Sequence, residues 1–449
     1  MSQQPGNQSE LPPPRRFEVA LFALLVLSCS QLGYVGHPRY GPFIAAADVL
    51  CALLTVAWVW KVTREGRWRS LTWPPFVVWA WLVLGLLSMS KSMVDADGNL
   101  SLGGIKAGVV EVAQLGLYFF AGYMLFVDVL NSTAKMRRAA AVLLGAVTVV
   151  VLWGLADYAL LAEKPFDVKS SFGNRNVYSA FLVMTLPLLF GVALHERNKV
   201  QRWWVLGLVA VALVTMVGPP QVWILTAVLA WIAYVRGGRV RTYLAPALVV
   251  FAVAVNLGLP MNRATNVAEF LDPFERGELY KLEAGAQAPV QDSLIVKKRW
   301  LEWQPALQML TENFPLGVGA GSYQRRIGEA QYYGPLPNVK KSEPDTNNLY
   351  LVVGASTGFA ALICLVGFLT RFWRQSRVLW LKAGSTVERG LAAGLPGAVL
   401  GLTLANLFTS LLVRGVSLVW AFLFAMVTVL LRERLSVERR RGTASDSSA

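Results

Sequence analysis

Long apolar runs recur along this 449-residue chain, and they constrain its fold more than any single motif does. A helix needs roughly 20 consecutive apolar residues to cross a bilayer, and a chain with many such runs cannot hide them all in one water-facing core. Twelve candidates fall near residues 17–36, 42–60, 74–90, 107–130, 138–160, 176–194, 203–218, 220–235, 243–259, 347–370, 391–413 and 415–431. Composition agrees: 55% of the residues are hydrophobic and only 15% are charged, against roughly a quarter charged in a soluble domain. The expected fold is all-α, a polytopic membrane protein of about 12 transmembrane helices with one large outer loop. Gly218-Pro219-Pro220 makes the seventh and eighth runs either a helical hairpin or a broken element.

The cations test this count independently of hydropathy. The chain carries 42 Lys and Arg against 27 Asp and Glu, a net charge of +15. In a soluble protein that excess would point to nucleic acid. Here it sorts by loop. With the N-terminus in the cytoplasm, alternate segments hold 25 cations, the short loops on the other side hold seven, and the remaining ten lie in one long loop. Such asymmetry predicts an even number of spans with both termini inside, and it explains the charge without a nucleic-acid partner. The organisation expected is an N-terminal segment 1–16, helices one to nine over 17–259, the loop 260–346, helices ten to twelve over 347–431, and a tail 432–449. The tail beyond Arg441 is rich in Ser and Ala and reads as disordered.

The loop 260–346 holds ten cations and eleven acids, so it is nearly neutral and densely charged. Its middle, Leu294 to Asn313, has Trp300, Trp303, Leu307 and Leu310 near helical spacing and ends at Pro315. Loops this long are usually functional. Cys29, Cys51 and Cys364 lie apart inside apolar runs, and His37 and His195 share no ligand spacing, so neither a disulfide framework nor a metal site follows.

Four local patterns carry possible chemistry. In Ser171-Phe-Gly-Asn174-Arg175-Asn176-Val177, amide and guanidinium donors sit beside a helix start, where they either bind an anion or cap the helix. Lys297, Lys298 and Arg299 precede Trp303, and three successive cations at a membrane surface either hold a diphosphate or rest on anionic lipid. Gly317-Val-Gly319-Ala-Gly321, followed by Arg325 and Arg326, reads as a phosphate cradle or as a tight turn. In Glu343-Pro-Asp345-Thr-Asn347-Asn348-Leu-Tyr350 the chain returns to the membrane, and either Asp345 or Asn347 caps the next helix or the carboxylate and two amides form the floor of an outward-facing cavity. Asp48, Glu111, Asp128 and Asp157 lie within apolar runs, where acids either relay ions or sit near the interface.

Taken in order, these features resemble the O-antigen ligase and O-antigen polymerase-like family of membrane proteins. The resemblance rests on Phe172-Gly-Asn-Arg-Asn176 leading to Ala180 and Pro187, and on Arg299 before Trp303. It rests equally on Pro315-Leu-Gly-Val-Gly-Ala-Gly321, and on Asn348-Leu-Tyr-Leu351 followed by Gly354 and Gly358. It covers roughly residues 100–430, most specifically 170–360. It implies a multi-pass protein of the bacterial inner membrane with a periplasmic loop 260–346, acting in surface polysaccharide or lipopolysaccharide assembly. The implied activity is that of a glycosyltransferase without metal or cofactor. The donor would be a glycan on undecaprenyl diphosphate, the acceptor a hydroxyl of lipid A core or of another glycan, with membrane lipids around the protein.

On this resemblance Arg299 matches the family's loop arginine and would stabilise the leaving diphosphate. Asn174, Arg175, Asn176, Lys297, Lys298, Arg325, Arg326 and Asn348 would hold diphosphate or glycan. Two positions depart from the family pattern. Asn347 stands where the ligases have a histidine, and Gly218-Pro-Pro-Gln221 stands where an arginine is expected. A neutral Asn cannot take a proton, so Asp345 becomes the expected base or orienting group, with Asn347 beside it. Two further readings stay open: a non-catalytic relative that binds lipid-linked glycan or scaffolds an export complex, and a small-solute transporter.

Overall fold

The computed structural model describes residues 16–30, 44–94, 100–160, 168–196, 198–216, 221–258, 295–327, 332, 346–384, 386–412 and 415–446. Among these the chain is helical and contains no β-strand. Helices α1 (Arg16–Ser28), α2 (Ala46–Glu65) and α3 (Phe76–Ser92) come first. Next, α4 (Leu102–Leu115) runs through a π-helical stretch, Gly116–Gly122, into α5 (Tyr123–Val129). Then follow α6 (Thr133–Leu160), α7 (Arg175–His195), α8 (Lys199–Thr215), α9 (Gln221–Arg236) and, after a second π-helical stretch, α10 (Ala245–Gly258). The C-terminal part holds α11 (Ile295–Glu312), the single-turn α12 (Tyr323–Arg326), α13 (Leu349–Thr357), α14 (Phe359–Lys382), α15 (Thr386–Ala405) and α16 (Val416–Asp446).

Each of the twelve apolar runs contains helix among its described residues, but the helices are unequal and do not amount to twelve of spanning length. Five helices are long and apolar enough to cross a membrane: α2, α4 with α5, α6, α7, and Val416–Arg440 of α16. α3, α9 and Val240–Phe251 are apolar but shorter. The run 347–370, expected as one helix, is two. A Cβ at Gly358 (φ +102°) would lie 2.0 Å from the Pro315 carbonyl oxygen, so the chain bends there around the passing loop. Residues 442–446, expected as a disordered tail, continue α16. That helix is tied to its neighbours by Glu438 on Lys382 and by Arg434 Nε on the Lys382 carbonyl at 2.7 Å.

α7 is the central element, with nearly every side chain from Val177 to Leu194 buried. Its main partner is α15, and small residues set the spacing. A Cβ at Gly394 would lie 2.5 Å from the Pro187 oxygen and one at Gly401 2.7 Å from the Val183 oxygen. Backbones can approach this closely only where side chains are absent, the usual device of helices packing in lipid.

The helix ends form two chemically different regions. One is basic and crossed by ion pairs: Arg67 with Asp128 at 3.1 Å, Lys135 with Glu18 at 3.1 Å, Arg137 with Glu388 at 3.5 Å, and Lys382 with Glu438. These residues come from segments that the charge distribution places on one side. At the opposite end lie the starts of α4, α7, α9 and α13 and the glycine-rich run.

Candidate functional site

The glycine-rich run organises this second end. Between Asn313 and Tyr323 the chain is threaded among α3, α4 and α13, and each contributes polar groups that meet its backbone. On α3, Ser88 Oγ donates to the Leu316 carbonyl at 2.8 Å and accepts from Ala320 N–H at 3.1 Å, while Ser92 Oγ donates to the Ala320 carbonyl. The carbonyls of Ala355 and Ser356 on α13 accept from Val318 and Gly319 N–H at 2.8 and 2.9 Å. On α4, Glu111 accepts from Gly321 N–H at 2.6 Å and from Ser356 Oγ at 3.1 Å. The carboxylate thus joins three chain segments.

These contacts decide between the two readings of the run. Every N–H from Gly317 to Ser322 already has an acceptor, so the loop cannot cradle a phosphate with its amides. Gly319 and Gly321 have φ of +109° and +76°, and Cβ atoms there would fall 2.5 Å from Ser92 N and 2.3 Å from the Ala107 carbonyl carbon. Both the conformation and the close approach require glycine. The run is a structural insertion that fixes its flanks.

One flank is α12. Tyr323 Oη and Thr346 Oγ1 are 2.7 Å apart, which ties α12 to the corner where the chain returns to the bundle. Asn347 takes a left-handed conformation (φ +48°) at that corner. Asn348 is buried and caps α13, its Oδ1 accepting from Tyr350 and Leu351 N–H at 3.0 and 3.2 Å. Leu349 N–H donates to the Asn406 carbonyl at 2.9 Å, which fastens the corner to the end of α15.

The Asn174 region is built alike. Asn174 Oδ1 caps α7 by accepting from Asn176 and Val177 N–H at 2.8 and 3.4 Å. The loop before it is held by Asp157, whose Oδ2 accepts from Lys169 and Ser170 N–H at 3.0 Å each. Arg175 is exposed at the first helical position, and Asn176 is half-buried. Capping thus accounts for the side-chain oxygens of Asn174 and Asn348. Asn174, Arg175, Asn176, Asn347, Asn348, Arg325 and Arg326 all lie in or beside the starts of α7, α12 and α13.

Among the loop cations, Arg325 is the informative one. Its guanidinium donates to Ser101 Oγ at 2.6 Å and to Ser322 Oγ at 3.4 Å, and no carboxylate pairs with it among the described residues. Lys297, Lys298 and Arg299 fall in the first turns of α11, as expected from the sequence, but nothing of their side chains is described. Asp345 and the Gly218-Pro219-Pro220 connection lie outside the described residues.

Two features escape a reading of the sequence. Gln221, at the start of α9, is fully buried, and neither its Nε2 nor its Oε1 has a hydrogen-bond partner among the described residues. A polar residue directly after Pro219-Pro220 was the available signal. The second is the set of small residues that receive the loop: Ser88 and Ser92 on α3, Gly104 and Gly108 on α4, each pair four residues apart and so on one helical face.

The acids within the apolar runs share a structural role. Besides Glu111 and Asp157, Asp48 accepts from Ala45 N–H at 2.8 Å and from Tyr118 Oη, and Asp128 accepts from Trp58 Nε1 at 2.9 Å.

Fold and site together define an all-α protein with several helices of membrane-spanning length and a polar, loop-plugged end. No protein-family model matches the chain, and a search of curated proteins finds no match.

Proposed function

We propose that this chain is a membrane glycosyltransferase-like protein of surface polysaccharide assembly. In this reading it crosses the bacterial inner membrane twelve times, keeps both termini in the cytoplasm, and presents residues 260–346 to the periplasm. It takes glycan from an undecaprenyl-diphosphate carrier and transfers it to a hydroxyl of another glycan or of lipid A core. The sidedness is supported by the gathering of Arg67, Lys135, Arg137 and Lys382 with their acid partners at one end of the bundle.

The observation that carries the reading is Arg325. A guanidinium oriented by neutral hydroxyls, with no counter-carboxylate among the described residues, keeps its charge for an anion such as a diphosphate. The phosphate site is then made of arginine side chains and not of the glycine loop. Arg299 joins it, Asp345 orients or deprotonates the acceptor, and the buried amide of Gln221 supplies hydrogen bonds to glycan.

The test is transfer of lipid-linked glycan by purified protein. Arg325→Ala, Arg299→Ala and Asp345→Asn are expected to lower turnover at least tenfold, with Arg325→Lys intermediate. Wild-type rates in all three would overturn the assignment. A second reading, carrier binding without turnover, is favoured by Asn347, a neutral amide at the corner where the resembling ligases place a histidine. Undiminished carrier binding with no transfer by the wild type would select it. Transport draws no support from the intramembrane acids, each of which accepts structural hydrogen bonds.

A further inference from the structure

At the basic end, far from the glycine loop, the last turn of α7, the last turns of α9 and α14 and the second turn of α15 enclose a cavity of about 250 Å³. Its chemically distinct lining residues are His195, Trp231, Arg236, Trp380 and Arg389. Neither arginine is neutralised. Arg236 has no ion pair or hydrogen bond among the described residues, and Arg389 donates only to the Ala383 carbonyl, at 3.4 Å. The neighbouring acid Glu388 is turned away to Arg137 at 3.5 Å. His195 Nδ1 lies 2.9 Å from the Gly191 carbonyl, which fixes the ring and leaves its other nitrogen without a partner among the described residues.

The wall of this cavity is aromatic, with Trp231 and Trp380 edge to face at a centroid distance of 6.2 Å. Trp231 also lines a second, open groove of about 490 Å³ that runs along α9 and α10 past Pro246 and Val249. One indole therefore borders both the basic cavity and a largely apolar groove, whose one cation, Arg241, is stacked on and hydrogen-bonded to Tyr234. Indoles of this kind settle at the depth of lipid headgroups, and basic pockets between helix ends accept anionic headgroups.

We infer that this pair of cavities binds an anionic phospholipid, its phosphate between Arg236 and Arg389 and one acyl chain in the groove along Trp231, Pro246 and Val249. Charge complementarity selects the headgroup: both arginines can bind the phosphodiester that all these lipids share, but with no carboxylate pairing them among the described residues they repel the cation of a choline headgroup and not a neutral glycerol. The adjoining apolar groove selects a lipid over a free anion. This inference rests on the membrane-spanning reading of the chain and not on glycan transfer.

The experiment is native mass spectrometry of the full-length protein released from detergent, titrated separately with phosphatidylglycerol, phosphatidylcholine and inorganic phosphate. Phosphatidylglycerol is expected to bind at least tenfold more tightly than phosphatidylcholine. An Arg236→Gln, Arg389→Gln double variant is expected to reduce that preference to threefold or less. Val249→Trp, which fills the groove and leaves both arginines in place, is expected to weaken phosphatidylglycerol binding at least fivefold. Lys382→Gln, at the same end but paired with Glu438, serves as the control and is expected to leave the preference unchanged. Equal preference in wild type and double variant would overturn the proposal, as would binding of inorganic phosphate without a phosphatidylglycerol preference. Protein that stays monodisperse without detergent would instead overturn the membrane reading itself.

Discussion

The two ends of the bundle use acidic residues in opposite ways. At the basic end, Asp128, Glu18, Glu388 and Glu438 face arginine or lysine across helix boundaries. At the glycine-loop end, Asp48, Glu111 and Asp157 accept from backbone N–H groups and hydroxyls. Arg325 there donates to hydroxyls, with no carboxylate paired to it among the described residues. Where an acid faces a cation, the field of that pair is weak and the pair ties helices together. Where acids are occupied by amides, a nearby guanidinium keeps its charge. At the first end only the cations outside such pairs, Arg236 and Arg389 among them, are left for an anion.

The largest effect is expected from breaking the packing of the glycine loop. In Gly319→Val the new side chain must start 2.5 Å from Ser92 N in a backbone conformation that valine avoids. Overpacking of a rigid site costs roughly 1–3 kcal/mol and an unfavourable left-handed residue a further 1–3 kcal/mol. The expected result is loss of detergent-extractable, monodisperse protein on size exclusion. Normal yield and unchanged thermal stability would mean that the loop is not inserted between α3, α4 and α13.

How much of this was legible in the sequence depends on distance along the chain. Helix positions follow from local apolar runs, and the cap at Asn174 is legible from residue type alone, because capping involves neighbours two or three positions away; the same reasoning puts the α13 cap at Asp345 or Asn347, whereas Asn348 makes it. The break at Gly358 was not legible: it exists because a loop some forty residues upstream passes against it, with Pro315 in the way. The Ser88 contact to Leu316 joins residues 228 positions apart, and no periodicity encodes it. The glycine run itself was visible, but the choice between cradle and turn needed its acceptors. Gln221 stands out in the sequence for the arginine it replaces, whereas in the structure it stands out for burial with no hydrogen-bond partner among the described residues.

An intermediate effect is expected at Glu111. Glu111→Ala leaves the Gly321 N–H and the Ser356 hydroxyl without their acceptor. Removing one partner of a charge-assisted hydrogen bond costs roughly 1.5–3 kcal/mol. Thermal unfolding in detergent is expected to shift down measurably, with Glu111→Gln less affected because its amide oxygen can still accept one of the two bonds. Were Glu111 an ion relay instead, stability would hold and a proton-linked uptake assay would fail.

The smallest effect is expected at the basic end, and it completes the contrast. Lys382 and Glu438 are partly exposed, with side-chain accessibilities of 35% and 42%. Exposed pairs of this kind contribute about 0.2–1 kcal/mol, and salt screens them further. Lys382→Gln should therefore lower stability by about 0.5 kcal/mol or less, and the difference from wild type should vanish in high salt. Arg434 retains its hydrogen bond to the residue 382 carbonyl in that variant, since the bond uses the backbone. A drop comparable to that of Glu111→Ala would show that ion pairs at this end hold the bundle together as firmly as the acid-to-amide contacts do at the other, and the distinction drawn between the two ends would fail.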